Sequence, residues 1–289
     1  MAINKDSLQN QINYLSSKTG VHQNILLKSF FFDAFLKRLS LSKYSRNFVF
    51  KGGFFLSTSL GINLRSTRDI DFLLKNIKLE KNIICSVIHE IVSINIDDNI
   101  TFKFNSIMEI REEDSYGGYN VSLTGQLDNI NEIISIDIAT GDPITPSDVK
   151  FQYKCFLDGE MLSFVSYNFE TIIAEKLQTI LYRGVLNSRS KDFYDLYIIF
   201  KLRWNEIDLL TLKNAFDNTC QYRKTIFSKA EAFDILDKIR ENSLMKNRWN
   251  IYKKRNKYVG DITFDETLET MASIIETIFN ISSSKNLNS

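Results

Sequence analysis

Apolar positions along the chain change their period more than once, and the changes mark the elements. Residues 5–40 read helical, with Asp6 or Ser7 as a first cap, Gly20 as a stop, and a strongly apolar second helix from Ile25-Leu26-Leu27 to Phe35-Leu36. Phe48-Val49-Phe50 is a short buried strand that runs into Lys51-Gly52-Gly53. Residues 54–60 open a helix that Gly61 ends, and a strand follows at 69–74. Leu79 to Ile94 reads as another helix. The period then falls to two in three segments: Ile100 to Arg111, the set Tyr119, Val121 and Leu123, and the set Ile134, Ile136 and Ile138. Residues 141–148 hold both prolines and form the clearest turn-rich break. After residue 165 the spacing is mostly helical, which places a boundary near 150–165 with α/β before it and α after it.

Composition adds bounds. At 289 residues the chain can bury one large core or two modest ones, and 44% hydrophobic with 25% charged residues is the balance of a soluble globular protein. A net charge of +1 excludes a generally cationic nucleic-acid coat, so any nucleic-acid surface must come from local clustering. Cys85, Cys155 and Cys220 are far apart and show no metal spacing, which suits buried thiols in a reducing cytoplasm. His22 and His89 have no third partner at metal spacing and read as structural or surface residues. No signal-length apolar run opens the sequence, and none reaches the ~20 residues a membrane span needs.

The chemistry concentrates in Arg68-Asp69-Ile70-Asp71-Phe72, sixteen residues after Gly52-Gly53. On a strand, Asp69 and Asp71 share a face, roughly 7 Å apart at their Cα atoms. Two carboxylates so placed suit a hard cation such as Mg2+ or Mn2+, and the glycine pair lets backbone amides approach a phosphate. A glycine turn followed by an Asp-x-Asp strand is the arrangement a two-metal nucleotidyl transferase needs. Asp137 stands inside the apolar run Ile133 to Ile138 on the Ile133/Ser135 face, where a third carboxylate beside Asp69 and Asp71 completes a metal cluster. Taken alone, a solvated strand face explains Asp137 equally well.

Residues 170–184 form a helix that Asn168 caps and Gly184 ends. Lys176 lies inside its apolar stripe of Ile172, Ile173, Leu177 and Ile180, so it needs a carboxylate or a triphosphate as partner, unless it simply snorkels. In Ser190 to Tyr197, Ser190 reads as a helix cap, Asp192 favours the helix dipole, and Asp195 must find a partner among Arg183, Arg189 and Lys176. Glu112 to Tyr119 joins two strand candidates and reads first as a hairpin loop. Lys246, Arg248, Lys253, Lys254, Arg255 and Lys257, interleaved with Trp249, Tyr252 and Tyr258, suit nucleic acid or a solvated helix face about equally.

Five blocks, residues 51–72, 112–123, 134–146, 170–184 and 189–199, together resemble the AbiEii/AbiGii-type nucleotidyltransferase toxins of toxin–antitoxin and abortive-infection systems, and the AbiEii branch in particular. The resemblance implies an α+β fold: a polymerase-β-like nucleotidyltransferase domain over residues 1–160 and a mainly helical domain over 161–289 that contributes lysine and acidic motifs. It implies that Asp69 and Asp71 hold metal, that Lys176 is the essential lysine, that Asp192 and Asp195 form the late acidic motif, and that Gly52 and Gly53 bind nucleotide. Asp137 matches an aspartate common in the family. Where many members carry Ser or Thr after the glycine pair, Phe54 stands here, so Ser57 or Thr58 is the substitute hydroxyl, with Arg65 or Arg68 balancing phosphate charge. The implied activity is transfer of a nucleoside monophosphate from an NTP, GTP among them, to the 3′ end of tRNA in the cytoplasm. The implied partner is an AbiEi-type antitoxin that acts without a stable complex. Transfer to a small-molecule or protein hydroxyl, and a nucleotide-binding module without catalysis, are the alternatives.

Overall fold

The computed structural model describes residues 3–65, 67–110, 117–141, 143–147 and 149–281. They fall into two compact units: Met1–Gly141 with Asp148–Ser166, and Asp142–Ser147 with Tyr167–Ser289.

The first unit contains α1 (Lys5–Thr19), α2 (Gln23–Leu41), β1 (Phe48–Lys51), α3 (Gly52–Leu60), β2 (Asp69–Leu74), α4 (Lys81–Val92), β3 (Ile100–Ile110), β4 (Gly118–Leu127), β5 (Ile130–Ala139), β6 (Val149–Lys154) and β7 (Met161–Ser166). The strands form one sheet in the order β3-β4-β5-β2-β1-β7-β6. It is mixed: β2 runs parallel to β5 and β1 parallel to β7, while β1 and β2 are antiparallel.

Alternation sorts the central strands into two faces. One is apolar: Phe50 pairs with Phe72, and Ile70, Ile136 and Val121 follow one another across β2, β5 and β4. On it Phe50 packs at 4.9 Å from Phe72, 4.8 Å from Phe164 and 5.4 Å, stacked, from Phe54. Helix α2 covers part of this face, and its Phe31 ring occupies the space that a side chain at Gly125 of β4 would need. Lys51, Asp71, Asp137 and Asn120 stand in register along the other face, with Asp69, Ser135 and Ser122 in the next row.

Strands β6 and β7 are additions to the sequence reading: β6 alternates Val149, Phe151 and Tyr153 with Lys150, Gln152 and Lys154, a period-two signal that was passed over, whereas β7 has no such clean alternation. A buried acid ties their hairpin to α2. Asp33 accepts from the Tyr153 hydroxyl and, at 2.6 Å, from the Phe156 N–H, while Lys37 binds Asp158 and Glu160. Burial pushes the Asp33 carboxyl up to about 7 despite these donors.

Some element ends differ from expectation. Asn4 caps α1 by accepting from the Ser7 N–H, so the cap lies before Asp6. Helix α4 is shorter at both ends than the apolar spacing implied. Helix α3 begins at Gly52 rather than residue 54, because Gly52 takes φ +60° and turns the chain directly out of β1.

The second unit contains α5 (Phe169–Arg183), α6 (Ser190–Arg203), α7 (Leu209–Tyr222), α8 (Lys229–Glu241), α9 (Ser243–Arg255) and α10 (Phe264–Asn280). Asn168 caps α5 by accepting from the Thr171 N–H at 3.1 Å. Thr145, from the short segment 143–147, is built into this end of the helix. Its N–H donates to the Thr171 hydroxyl, its carbonyl accepts from Asn168, and its hydroxyl accepts from Asn218 of α7. Helix α6 is buried almost all round, as its sequence requires. Its cap position is Arg189, whose side chain makes no capping hydrogen bond, so Ser190 is already inside the helix. No helix among the described residues is long and apolar enough to cross a membrane.

Candidate active site

The parallel pairing of β2 with β5 sets Asp71 beside Asp137 and Asp69 beside Ser135. One carboxylate oxygen from each of Asp69, Asp71 and Asp137 lies within 4.8 Å of the others, and all three residues are half-exposed. Each acid is held by a neutral donor. Gly53 N–H donates to Asp71 Oδ2 at 3.0 Å and Arg68 N–H to Asp69 Oδ1 at 3.1 Å. Asn120 Nδ2 donates at 2.6 Å to both Asp137 Oδ1 and Ser135 Oγ. The donors are all hard oxygens, with neither thiolate nor imidazole in the cluster, so they fit Mg2+ or Mn2+ better than a soft metal. Three like charges this close also favour a cation between them.

Both glycines are closely surrounded, Gly52 the more strictly. A Cβ on Gly52 would lie 2.7 Å from Asp71 Oδ2, at a φ that side chains rarely adopt. A Cβ on Gly53 would lie 3.0 Å from Arg65 Nη2. The buried Arg65 guanidinium therefore sits over the glycine turn. Arg68 is exposed, and its backbone rather than its side chain holds Asp69. Ser57 is buried, and the Thr58 hydroxyl donates back to the Phe54 and Phe55 carbonyls inside α3. Phe54 occupies its position because it packs on Phe50 and Phe32 in the core.

Two residues on the polar face were missed by sequence reasoning. Lys51 is buried and stands opposite Asp71 in the β1–β2 pairing. Asn120 orients Asp137. Only the strand register reveals either one, although Lys51 at the end of an apolar strand was a signal.

In the second unit, Lys176 Nζ lies 2.7 Å from Asp192 Oδ1 and 2.7 Å from Asp195 Oδ2. Arg189 Nε reaches the other Asp192 oxygen at 2.7 Å. Lys176 thus has carboxylate partners and does not snorkel. Burial alone would raise the Asp192 carboxyl, but Lys176 and Arg189 over-compensate and hold it well below the usual carboxylate range. Burial likewise pulls the Lys176 amine down, and Asp192 with Asp195 reverses this, leaving it above its ordinary value.

Residues 111–116 of the expected hairpin loop lie outside the described residues. The late basic cluster falls on α9 and the turn after it. Its aromatic residues are not stacking platforms: Trp249 is buried, and the Tyr252 and Tyr258 hydroxyls bond each other at 2.9 Å. His22 caps α2 and His89 packs on Phe104, as structural histidines do.

Among curated proteins none matches the chain. Two solved structures are similar over 90% of it. One, described as a candidate nucleotidyltransferase from H. pylori, is 17% identical with a TM-score of 0.46 and 96% of its own chain covered. The other, JHP933 from Helicobacter pylori, is 16% identical with a TM-score of 0.46 and 93% covered. The profile described as nucleotidyl transferase AbiEii toxin, type IV toxin–antitoxin system, matches residues 34–270. That span takes in both glycines, the three clustered aspartates and the Lys176 network, and the chain belongs to the AbiEii family of nucleotidyltransferase toxins.

Proposed function

We propose that the protein transfers a nucleoside monophosphate from an NTP to an RNA hydroxyl, with the 3′ end of tRNA as the acceptor, and that it does so in the cytoplasm as the toxin of an abortive-infection pair. The observation that carries the reading is the convergence of Asp69, Asp71 and Asp137 beside a glycine turn. These three residues would hold Mg2+ or Mn2+, which supplies positive charge to the triphosphate and the departing pyrophosphate. The turn at Gly52-Gly53 gives the phosphates close access to backbone, and Arg65 and Lys51 add positive charge beside it. Asp137, steadied by Asn120, accepts the proton of the attacking hydroxyl. The family reading also gives Lys176, Asp192 and Asp195 a part in the reaction, Lys176 by balancing phosphate charge. Ser57, buried in α3, and Arg68, with its exposed side chain, complete the nucleotide-binding set. The family resemblance points to GTP as the NTP, while no residue of the cluster itself selects a base. An AbiEi-type antitoxin opposes the toxin without a stable complex.

The test is incubation with each α-labelled NTP, divalent cation and total cellular RNA, followed by separation of RNA, protein and small molecules. Label in the tRNA band, lost with Asp69→Ala or Asp71→Asn, is expected. Label confined to protein or small molecules would refute the RNA acceptor. Growth inhibition undiminished by Asp69→Ala would refute the mechanism.

A further inference from the structure

The chain carries almost equal numbers of acids and bases, 35 and 36, yet its charges are unevenly spread. Helix α9 has five cations, Lys246, Arg248, Lys253, Lys254 and Arg255, and no acid, and Lys257 follows in the next turn. The helix before it has a different pattern. In α8, Lys238 pairs with Asp234 at 2.5 Å and Arg240 with Asp237 at 3.0 Å, and Lys229 reaches Glu276 of α10 at 2.7 Å. Among the described residues no ion pair is formed by any of the six cations of 246–257.

Their arrangement is directional. Met245 and Trp249 are buried and fix the inner side of α9. Lys246, Lys254, Arg255 and Lys257 are exposed. Arg248 turns back to donate to the Val185 and Asn187 carbonyls, and Lys253 lies near the Ile262 carbonyl. Of the acids near the helix, Asp265 lines a shallow cavity with Lys246 and Lys253, and the Glu266 carboxylate is close enough to Lys253 to feel its charge. Lys254, Arg255 and Lys257 therefore present concentrated, unneutralised positive charge to solvent.

We propose that this end of α9 is the docking surface for the phosphate backbone of structured RNA. The proposal rests on the RNA-acceptor reading and deepens it by naming where the acceptor is gripped. Phosphate rather than base is the ligand because the cations are exposed while the aromatic residues beside them are buried or bonded to each other. Such contacts position an RNA without reading its sequence, which suits recognition of a folded shape.

The experiment measures the binding of a fluorescein-labelled RNA stem-loop by anisotropy across a NaCl series. It uses the full chain carrying Asp69→Asn, without NTP or divalent cation, so no turnover enters. Each lost phosphate contact lowers the slope of log K against log salt by about one, so Lys254→Gln/Arg255→Gln/Lys257→Gln should lower it by about three and weaken binding about tenfold or more near 0.1 M salt. The control Lys229→Gln/Lys238→Gln/Arg240→Gln removes the same charge from ion-paired positions and should leave the slope unchanged. Equal losses in both variants, or none in the first, overturn the proposal. So does an acidic peptide that binds the α9 surface more tightly than RNA does, since the occupant would then be a protein. If the wild type binds the stem-loop through α9 but labels no RNA, the surface stands and the acceptor reading fails. If RNA is labelled and the α9 variant binds unchanged, the acceptor reading stands and the surface fails.

Discussion

Replacing Lys176 by methionine keeps the length of the side chain and removes its charge, and the structure gives the consequence. The lysine bridges Asp192 and Asp195 at 2.7 Å each, and those side chains are 2% and 0% exposed. Without it, Asp192 keeps Arg189 at 2.7 Å, but two buried carboxylates have lost their shared ammonium. Breaking a buried pair from one side costs about 3–5 kcal/mol, because a desolvated charge is left behind. At about 2–4 °C per kcal/mol, the melting temperature should fall on the order of 10 °C. Adding Asp195→Asn should recover part of the loss, because one of the two buried carboxylates that shared the ammonium is then neutral.

The pH profile follows from the same shifts. Asp192 is held below its unfolded value, so its contribution is present above about pH 4 and is lost as pH falls through the folded value. Lys176 is held above its unfolded value, so its contribution is present below about pH 10 and is lost as pH rises through the folded value. Differential scanning fluorimetry between these limits should therefore show a constant gap between wild type and Lys176→Met that narrows toward acid. If the variant melts within about 2 °C of wild type at pH 7, the network does not stabilise the unit and this account is wrong. Loss of toxicity in such an unperturbed variant would then assign the lysine to the reaction.

Gly52→Ala should abolish labelling and destabilise by at least about 1–3 kcal/mol, since it strains the backbone and collides with Asp71, whereas Gly53→Ala meets side-chain ends alone, Arg65 Nη2 at 3.0 Å and Thr67 Oγ1 at 3.2 Å, without a left-handed φ, and should cost less; parallel melting and transfer assays separate the two. Asn120→Ala should weaken Mn2+ affinity about 10–100-fold in a calorimetric titration, because Asp137 loses the amide that orients it. Asp33 is raised to about 7, so its ionisation opposes folding and stability should fall as pH rises from about 4 through 7, a slope that Asp33→Asn should remove in urea titrations. Gly125→Ala places a methyl 2.3 Å from the Phe31 ring and should cost about 1–3 kcal/mol, read as a lower urea midpoint.

The sequence predicted what depends on local pattern. Asp69 and Asp71 were legible because period two puts them on one face, and Lys176 because an apolar stripe cannot hold a lone amine. Asp137 needed more: its company depends on the parallel pairing of β2 with β5, strands separated by about sixty residues of chain, which no local spacing encodes. Asn120 was invisible for the same reason, and Lys51 offered only the signal of a cation ending an apolar strand. Strand β6 was legible in the alternation of Val149, Phe151 and Tyr153 with Lys150, Gln152 and Lys154 and was passed over, β7 lacks so regular a period, and the aromatic-basic stretch of α9 misled because sequence shows which rings are present and not which are buried.

The segment that carries Thr145 has a consequence for how the chain comes off the ribosome. Residues 142–147 belong to the second unit, yet they are synthesised before β6 and β7 complete the first. Thr145 then waits for Asn168 and Thr171, more than twenty residues later, and for Asn218, seventy-three residues later. This end of α5 cannot be completed until the chain has been made through Asn218, and a fragment begun at residue 167 would lack the segment that secures its first helix. A carboxy-terminal half cleaved away at residue 167 would therefore leave behind part of its own unit and begin with α5 unsecured.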